Sequence, residues 1–278
     1  MSSVVKSPRV SKGCVITLPS IPTVPEEYHG KSYIVNLLLG DGDSNPKLRK
    51  SNDKSEVYRT WGLSLSPAHE SGYQLCASAS EGCRGACLFH QGRGRCDVTK
   101  VARIAKTIAL MEEREWFILT LKREMDRIAW NAEQEGFTPA IRPNIVSDVL
   151  WEKVFPWMFK RYPAVQFYDY TKHLARMLKW CKGKLPSNYH LTFSRSETNE
   201  SEALRVLKAG GNVTVVFRDT AFPVKWNGFP VVNGDESDLR FLDGSGVVVG
   251  LYAKGTARHD DSGFVVDTSS ARVSLPVI

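Results

Sequence analysis

Four short runs decide the fold: IRPNIV (141–146), VQFYDY (165–170), YHLTFS (189–194) and NVTVVF (212–217). Each has the length and the aliphatic and aromatic content of a buried strand, and they end at 146, 170, 194 and 217, a repeat of about 24 residues. The stretches between them, 148–161, 172–182 and 199–209, carry helical spacing, and Ser147 and Asn199 stand where N-caps belong. A strand, one helix and the next strand make a βαβ unit, and a chain of such units makes a parallel sheet.

Upstream, Val98, Val101, Ile104 and Ile108, then Trp116, Leu119, Met125 and Ile128, predict two helices over 97–135, or one bent near Glu112–Arg114, with Asp97 or Thr99 as cap. Downstream, FPVVNGDESDLRFLDGSGVVVGLYAKG (229–255) reads as short strands joined by Gly-Asp and Gly-Ser turns. The fold expected is α/β: an incomplete or irregular TIM-like (βα) barrel over 59–278, with a cysteine loop near its start and a β-rich C-terminal segment that closes or caps it. Residues 1–58, with Pro8, Pro19, Pro22, Pro25 and a polar turn-rich stretch at 40–58, are expected as an extended arm and surface loop.

The composition is that of an ordinary globular chain: 278 residues, 42% hydrophobic and 24% charged. It excludes collagen-like, low-complexity and mostly disordered classes. No run approaches the roughly 18 apolar residues of a membrane-spanning helix. Ser, Lys, Arg and Pro interrupt any signal-peptide core near the start, so a cytoplasmic location and no membrane partner are expected. No Gly-rich phosphate loop follows a predicted strand. The net charge of +7 gathers in residues 151–190, which hold eight Lys/Arg against two acids. Lys172, Arg176, Lys179, Lys182 and Lys184, with Trp157, Tyr162 and Trp180 for base stacking, make nucleic acid a candidate partner there; a solvated basic helix face is the plainer reading.

Chemistry concentrates in one loop. Cys76, Cys83, Cys87 and Cys96 fall within 21 residues, spaced C-x6-C-x3-C with a further cysteine beyond. Thiolates select zinc, copper(I) or iron–sulfur clusters. The x6 gap fits zinc pairs poorly, and three cysteines in one Gly/Ala/Ser-rich loop ahead of a helix fit an iron–sulfur cluster, [4Fe–4S] or [3Fe–4S], better. Arg84, Arg93 and Arg95 nearby favour thiolate. Cys96 is a candidate fourth ligand; without it, one iron is open or absent. Cys14 and Cys181 stand apart as ordinary free cysteines.

At these residues the chain resembles the phage gene product 88 family and related phage proteins. The likeness runs from Trp61 to Val266 and rests on LSL (63–65) before the cysteine loop, RPNIVSD (142–148), YDYTK (168–172), GDESDLRFLD (234–243) and GLYAKG (250–255). It implies a phage-encoded protein, located in the host cytoplasm, without an established activity. A second, architectural likeness, a three-cysteine loop followed by (βα) units, is similar to radical S-adenosylmethionine enzymes. It implies a cluster that coordinates S-adenosylmethionine, although their spacing is C-x3-C-x2-C.

In a (βα) barrel the reactive end is the C-terminal end of the strands. That rule selects Asn144, Asp148, Asp169, Tyr170, Lys172, Arg195, Glu197, Arg218 and Asp219 as candidates to bind a polar substrate or small anionic ligand. Helix capping and loop salt bridges are the bland alternative for each. Asp235, Glu236 and Asp238 suggest a cation loop, but their spacing does not match a calcium loop, and a polar turn is the default. His90 is a ligand or donor to a ligand only if it faces the cysteines; His173 and His190 carry no signal. Two functions are therefore expected in competition: an iron–sulfur protein, with radical S-adenosylmethionine-like or simple redox chemistry, and a zinc-stabilised basic nucleic-acid-binding protein.

Overall fold

A computed structural model of the chain describes residues 13–42, 46–219 and 221–268. Within them the strands are β1 (Cys14–Thr17), β2 (Ser32–Val35), β3 (Leu39–Asp41), β4 (Tyr58–Leu63), β5 (Thr138–Arg142), β6 (Gln166–Thr171), β7 (Tyr189–Ser194), β8 (Asn212–Phe217), β9 (Lys225–Trp226), β10 (Phe229–Asn233), β11 (Val248–Tyr252) and β12 (Val265–Val266). The helices are α1 (Pro46–Asp53), α2 (Glu81–Gly85), α3 (Asp97–Glu112), α4 (Arg114–Glu135), α5 (Trp151–Val154), α6 (Trp157–Arg161), α7 (Leu174–Cys181) and α8 (Glu200–Lys208).

The βα repeat is where the sequence put it. Strands β4 to β8 lie in chain order and pair in parallel. Phe167, Phe193 and Phe217 face the helices in the main core and are fully buried, each contributing about 1.5–3 kcal/mol of apolar transfer free energy. On the opposite face Ala140 and Tyr168 pack with Leu239 and Phe241. Strand β5 starts and stops earlier than its apolar run, because Pro143 has no N–H to give a neighbouring strand. The long helical stretch divides at Glu113, and Gly136 ends α4 in the left-handed region with φ 73°, a conformation cheapest for glycine.

The sheet does not close. Its order is β3-β4-β5-β6-β7-β8-β11-β10-β9, with β3 and β9 antiparallel at its two edges and no pairing between them among the described residues. The C-terminal strands extend the sheet beyond β8 instead of sealing a barrel. The loop after β10 takes the position a closing strand would fill: Ser51 on α1 accepts the Asp238 backbone N–H, and Lys50 donates to the Asp235 carbonyl. Beyond Ser194, β7 parts from β8, and β12 pairs with Val216 and Phe217 in its place. A mixed, mostly parallel sheet with helices is therefore the architecture, and the TIM-like closure is not seen.

The N-terminal expectation is also corrected. Residues 1–12 lie outside the described residues, but β1 and β2 pair as an antiparallel hairpin, and Ile16, Leu18, Val24 and Val35 are buried in the main core. The apolar residues alternate between the prolines, which the Pro-rich composition concealed. Residues 46–53, expected as loop, form α1, whose Asn52 accepts from the Thr60 N–H and hydroxyl. No helix among the described residues is long and apolar enough to cross a membrane.

Candidate functional site

A cavity of about 230 Å³ opens at the C-terminal ends of β5 to β8 and β11. Cys83 and Cys87 line it from one side, and Arg142, Tyr170, Lys172 and Lys254 from the others. Cys76 does not line the cavity; its thiol reaches the carbonyl of Val146, which does, at 3.7 Å. The open end of a parallel sheet, where backbone ends splay and loops begin, is where such clefts form.

The cysteine loop is held by specific contacts. Cys83 lies on α2, and its N–H donates to the N-cap Ser80 hydroxyl at 3.3 Å. Glu197, carried by the loop after β7, grips the start of this helix: Oε1 accepts the Gly82 N–H at 2.8 Å and Oε2 accepts the Ser80 hydroxyl at 2.7 Å. Gly82 sits so close to the C-terminal segment that a β-carbon would overlap Ser262 Oγ and come within 2.8 Å of Phe264 Cβ. Gly82→Ala is therefore expected to push the cysteine loop off its seat, at a cost of about 1–3 kcal/mol. Urea unfolding checks it; an unchanged midpoint would contradict the contact.

Burial pushes the Cys76 thiol up to about 12 and the Cys87 thiol up to about 11; Lys172 pulls the Cys87 value down. At neutral pH the Cys76 and Cys87 sulfurs are therefore neutral thiols, and a thiolate there would need positive charge beside it. Lys172 donates to Ser194 Oγ at 2.7 Å and makes no ion pair with a carboxylate among the described residues. Among the described residues no three His, Cys, Asp or Glu side chains stand close enough to share one metal ion. Cys96 does not join the loop's other cysteines: it is exposed and precedes α3 as its N-cap residue.

The comparisons agree with this architecture's sequence markers. A family model described as gene product 88 matches residues 37–268. The chain belongs to the gene product 88 family. The match starts before Trp61 and so takes in the β3, α1 and β4 edge of the sheet as well. No curated protein and no solved structure matches, and nothing found supports the likeness to radical S-adenosylmethionine enzymes.

In this gene product 88 protein the strand-end residues divide into those at the cavity and those that build its frame. Asn144, Tyr170 and Lys172 line the cavity. Tyr170 shares Asp238 with Arg142, whose guanidinium stacks 4.5 Å over its ring. Asn144 is also structural. Its Oδ1 accepts from Ser147 Oγ, the Val149 N–H and the Trp151 indole, and its Nδ2 donates to Asp169 and the Val149 carbonyl. Burial pushes the Asp169 carboxyl up to about 7 against the pull of Arg176 and the Tyr189 hydroxyl. Asn144→Ala strands the Trp151 indole N–H inside the fold and takes the Nδ2 bond from Asp169, which keeps the Tyr189 hydroxyl and the backbone N–H of position 144. A loss of about 2–4 kcal/mol is expected in chemical denaturation, and a loss below about 1 kcal/mol would contradict this role.

The remaining candidates serve the frame. Asp148 accepts from the Lys172 N–H and from Arg176. Arg195 donates to the Gly263 and Phe264 carbonyls and to Glu200. Arg218 donates to the Arg258 and Asp260 carbonyls and to Asp267, fastening the final segment. Asp219 accepts from the Thr268 hydroxyl. The acidic turn is not a cation loop: Asp235 accepts from Lys254 and the Tyr252 N–H, Asp238 pairs with Arg142, and Glu236 accepts from Asn233. His90 lies against Glu70.

The basic segment 151–190 is less open than its charge suggested. Arg176 is 3% exposed and bonded to Glu152, Asp148 and Tyr189. Tyr162 is buried with its hydroxyl on Asp126, and the Trp180 indole donates to the Tyr189 carbonyl. Lys179, Lys182 and Lys184 remain exposed. Sequence reasoning missed Arg142, Ser194, Tyr252, Lys254 and Phe264 at the cavity. Ser194 and Arg142 end predicted strands or lie inside one, so strand position was the available signal; for Phe264 there was none.

Proposed function

We propose that this gene product 88 protein binds an iron–sulfur cluster, [4Fe–4S] or [3Fe–4S], through Cys76, Cys83 and Cys87, beside a cavity that admits a small anionic ligand. The observation that carries the reading is the placing of Cys83 and Cys87 in one cavity at the C-terminal edge of a parallel sheet, with Cys76 of the same C-x6-C-x3-C loop bonded to the cavity-lining Val146. Such a cluster supplies one-electron transfer or, at an iron without a protein ligand, an open coordination position. The protein's part is defined by its own residues. Lys172 presents its ammonium to the cavity on the Cys87 side and offsets the negative charge of thiolates or of an anion. Arg142 is already matched by Asp238, and Lys254 by Asp235, so these two shape the cavity walls. Leu251, Val216 and Phe264 keep the opposite wall apolar and dry, which strengthens every charge interaction inside.

The proposal does not depend on S-adenosylmethionine; that ligand is one candidate for an open iron. The test is anaerobic reconstitution of the purified chain with ferrous iron and sulfide, followed by visible absorption and EPR. A brown protein whose absorption saturates with iron and sulfide together is expected. Iron that washes off on desalting, with no sulfide retained, would overturn the reading.

A further inference from the structure

Behind the wall formed by Leu88, Ile145 and Val146 lies a second, larger cavity of about 540 Å³. The same three residues and Lys254 line both cavities. Its remaining lining is unusual in charge. Arg93, Arg103 and Lys106 face it, and no Asp or Glu lines it. Nε and Nη1 of Arg103 are buried without a hydrogen-bond partner, although a buried guanidinium ordinarily finds acceptors for its donors. The N-terminal turn of α3 borders the same space through Val98 and Thr99, and α3 is 16 residues long with no side-chain N-cap bond. The positive end of its dipole adds to the three cations, with Asp97 in the first turn turned to Lys100 at 3.8 Å and not lining the cavity. Lys106 donates to the Leu38 carbonyl at 2.9 Å and has Glu124 as its nearest counter-charge; Glu124 is occupied by the Leu38 and Leu39 N–H groups. Cys87 lies within electrostatic reach of Arg103 but does not line this cavity.

We propose that this second cavity binds a small phosphate ester, its phosphate between Arg103, Arg93 and the start of α3 and its organic part against Leu88, Ile145 and Val146. The cations exceed what a single carboxylate would match, and a dianionic phosphate with three acceptor oxygens suits a guanidinium fork and a helix N-terminus together. The volume exceeds that of a bare oxyanion, and the shared wall is apolar, which calls for an organic body. The site is independent of the cluster.

Isothermal titration with inorganic phosphate and with phenyl phosphate tests it, on protein with and without reconstituted iron and sulfide. Saturable binding of both is expected in both states, with phenyl phosphate the tighter. Arg103→Gln removes a charge-assisted contact and is expected to weaken binding about tenfold. Arg93 is exposed, so Arg93→Gln leaves the fold intact and is expected to weaken binding in the same direction, while Lys182→Gln on the distant surface leaves it unchanged. No saturable heat from either probe, affinity untouched by both arginine variants, binding that requires the cluster, or benzoate binding as tightly as phenyl phosphate would each overturn the proposal.

Discussion

Changed singly to serine and purified without oxygen, Cys76, Cys83 and Cys87 are each expected to reduce bound iron and acid-labile sulfide at least about tenfold, whereas Cys96→Ser retains them. A hydroxyl is a harder and far less acidic donor than a thiol, so serine seldom replaces a cluster ligand. Cys83 and Cys87 line one cavity, and Cys76 reaches the carbonyl of Val146 in its wall. If the proposed cluster is bound by these three, losing any one removes a third of the protein's hold on it. Cys96 points to solvent at the head of α3, and its backbone carbonyl, which serine keeps, accepts the Thr99 and Lys100 N–H groups. The variant series therefore separates ligand from bystander within one segment. Stability measured alongside guards against misfolding: thiol to hydroxyl is nearly isosteric, and the unfolding midpoints of the metal-free variants are expected to match. Equal loss from Cys96→Ser would mean a four-cysteine site and a different loop conformation.

The second large effect belongs to Arg142. Its side chain is 7% exposed and its partner Asp238 3%, with Nη1 to Oδ2 at 2.8 Å. Nε and Nη2 donate to the Asn144 and Ile145 carbonyls, so one guanidinium ties the end of β5, the turn after it and the loop after β10 together. Arg142→Ala leaves Asp238 charged, buried and short of a partner, which costs about 3–5 kcal/mol. For a chain of this size that lowers the melting temperature by roughly 10 °C. Asp238→Leu combined with Arg142→Met removes both charges and is expected to recover much of the loss. A single-variant loss under about 1 kcal/mol would show that solvent reaches the pair. The same pair holds the loop that carries Asp235, and Asp235 holds Lys254 at the cavity rim, so the single variant is expected to loosen the cavity as well.

The legible part of this chain was its periodicity. Runs ending at 170, 194 and 217 became adjacent parallel strands, joined by the first strand displaced to Thr138–Arg142, and the break near Glu112–Arg114 became the junction of α3 and α4. The cysteines stood out by their short spacing, and Cys83 and Cys87 line the cavity at the strand ends; what they hold is the proposal. Closure was not legible: whether β10 and β11 extend a sheet or seal a barrel depends on which edge the loop after β10 meets. That choice is made by Asp238 finding Arg142, 96 residues earlier in the chain. The strand-end rule located the cavity but not the roles at its rim. Glu197 and Arg195 look like substrate ligands in sequence, yet Glu197 is held by Ser80 and Gly82 of the cysteine loop and Arg195 by the Gly263 and Phe264 carbonyls, contacts more than 60 residues away in the chain. Arg176 misled for a similar reason, since a charge count cannot see Glu152 and Asp148 meeting it inside.

The central claim is tested most directly by iron, zinc and acid-labile sulfide analysis of the full chain purified without oxygen and without added metal. The account predicts iron and sulfide together, in near-equal amounts, at three or four per chain if the cluster survives purification. Zinc without sulfide, or a chain that holds no metal before or after reconstitution, would contradict it.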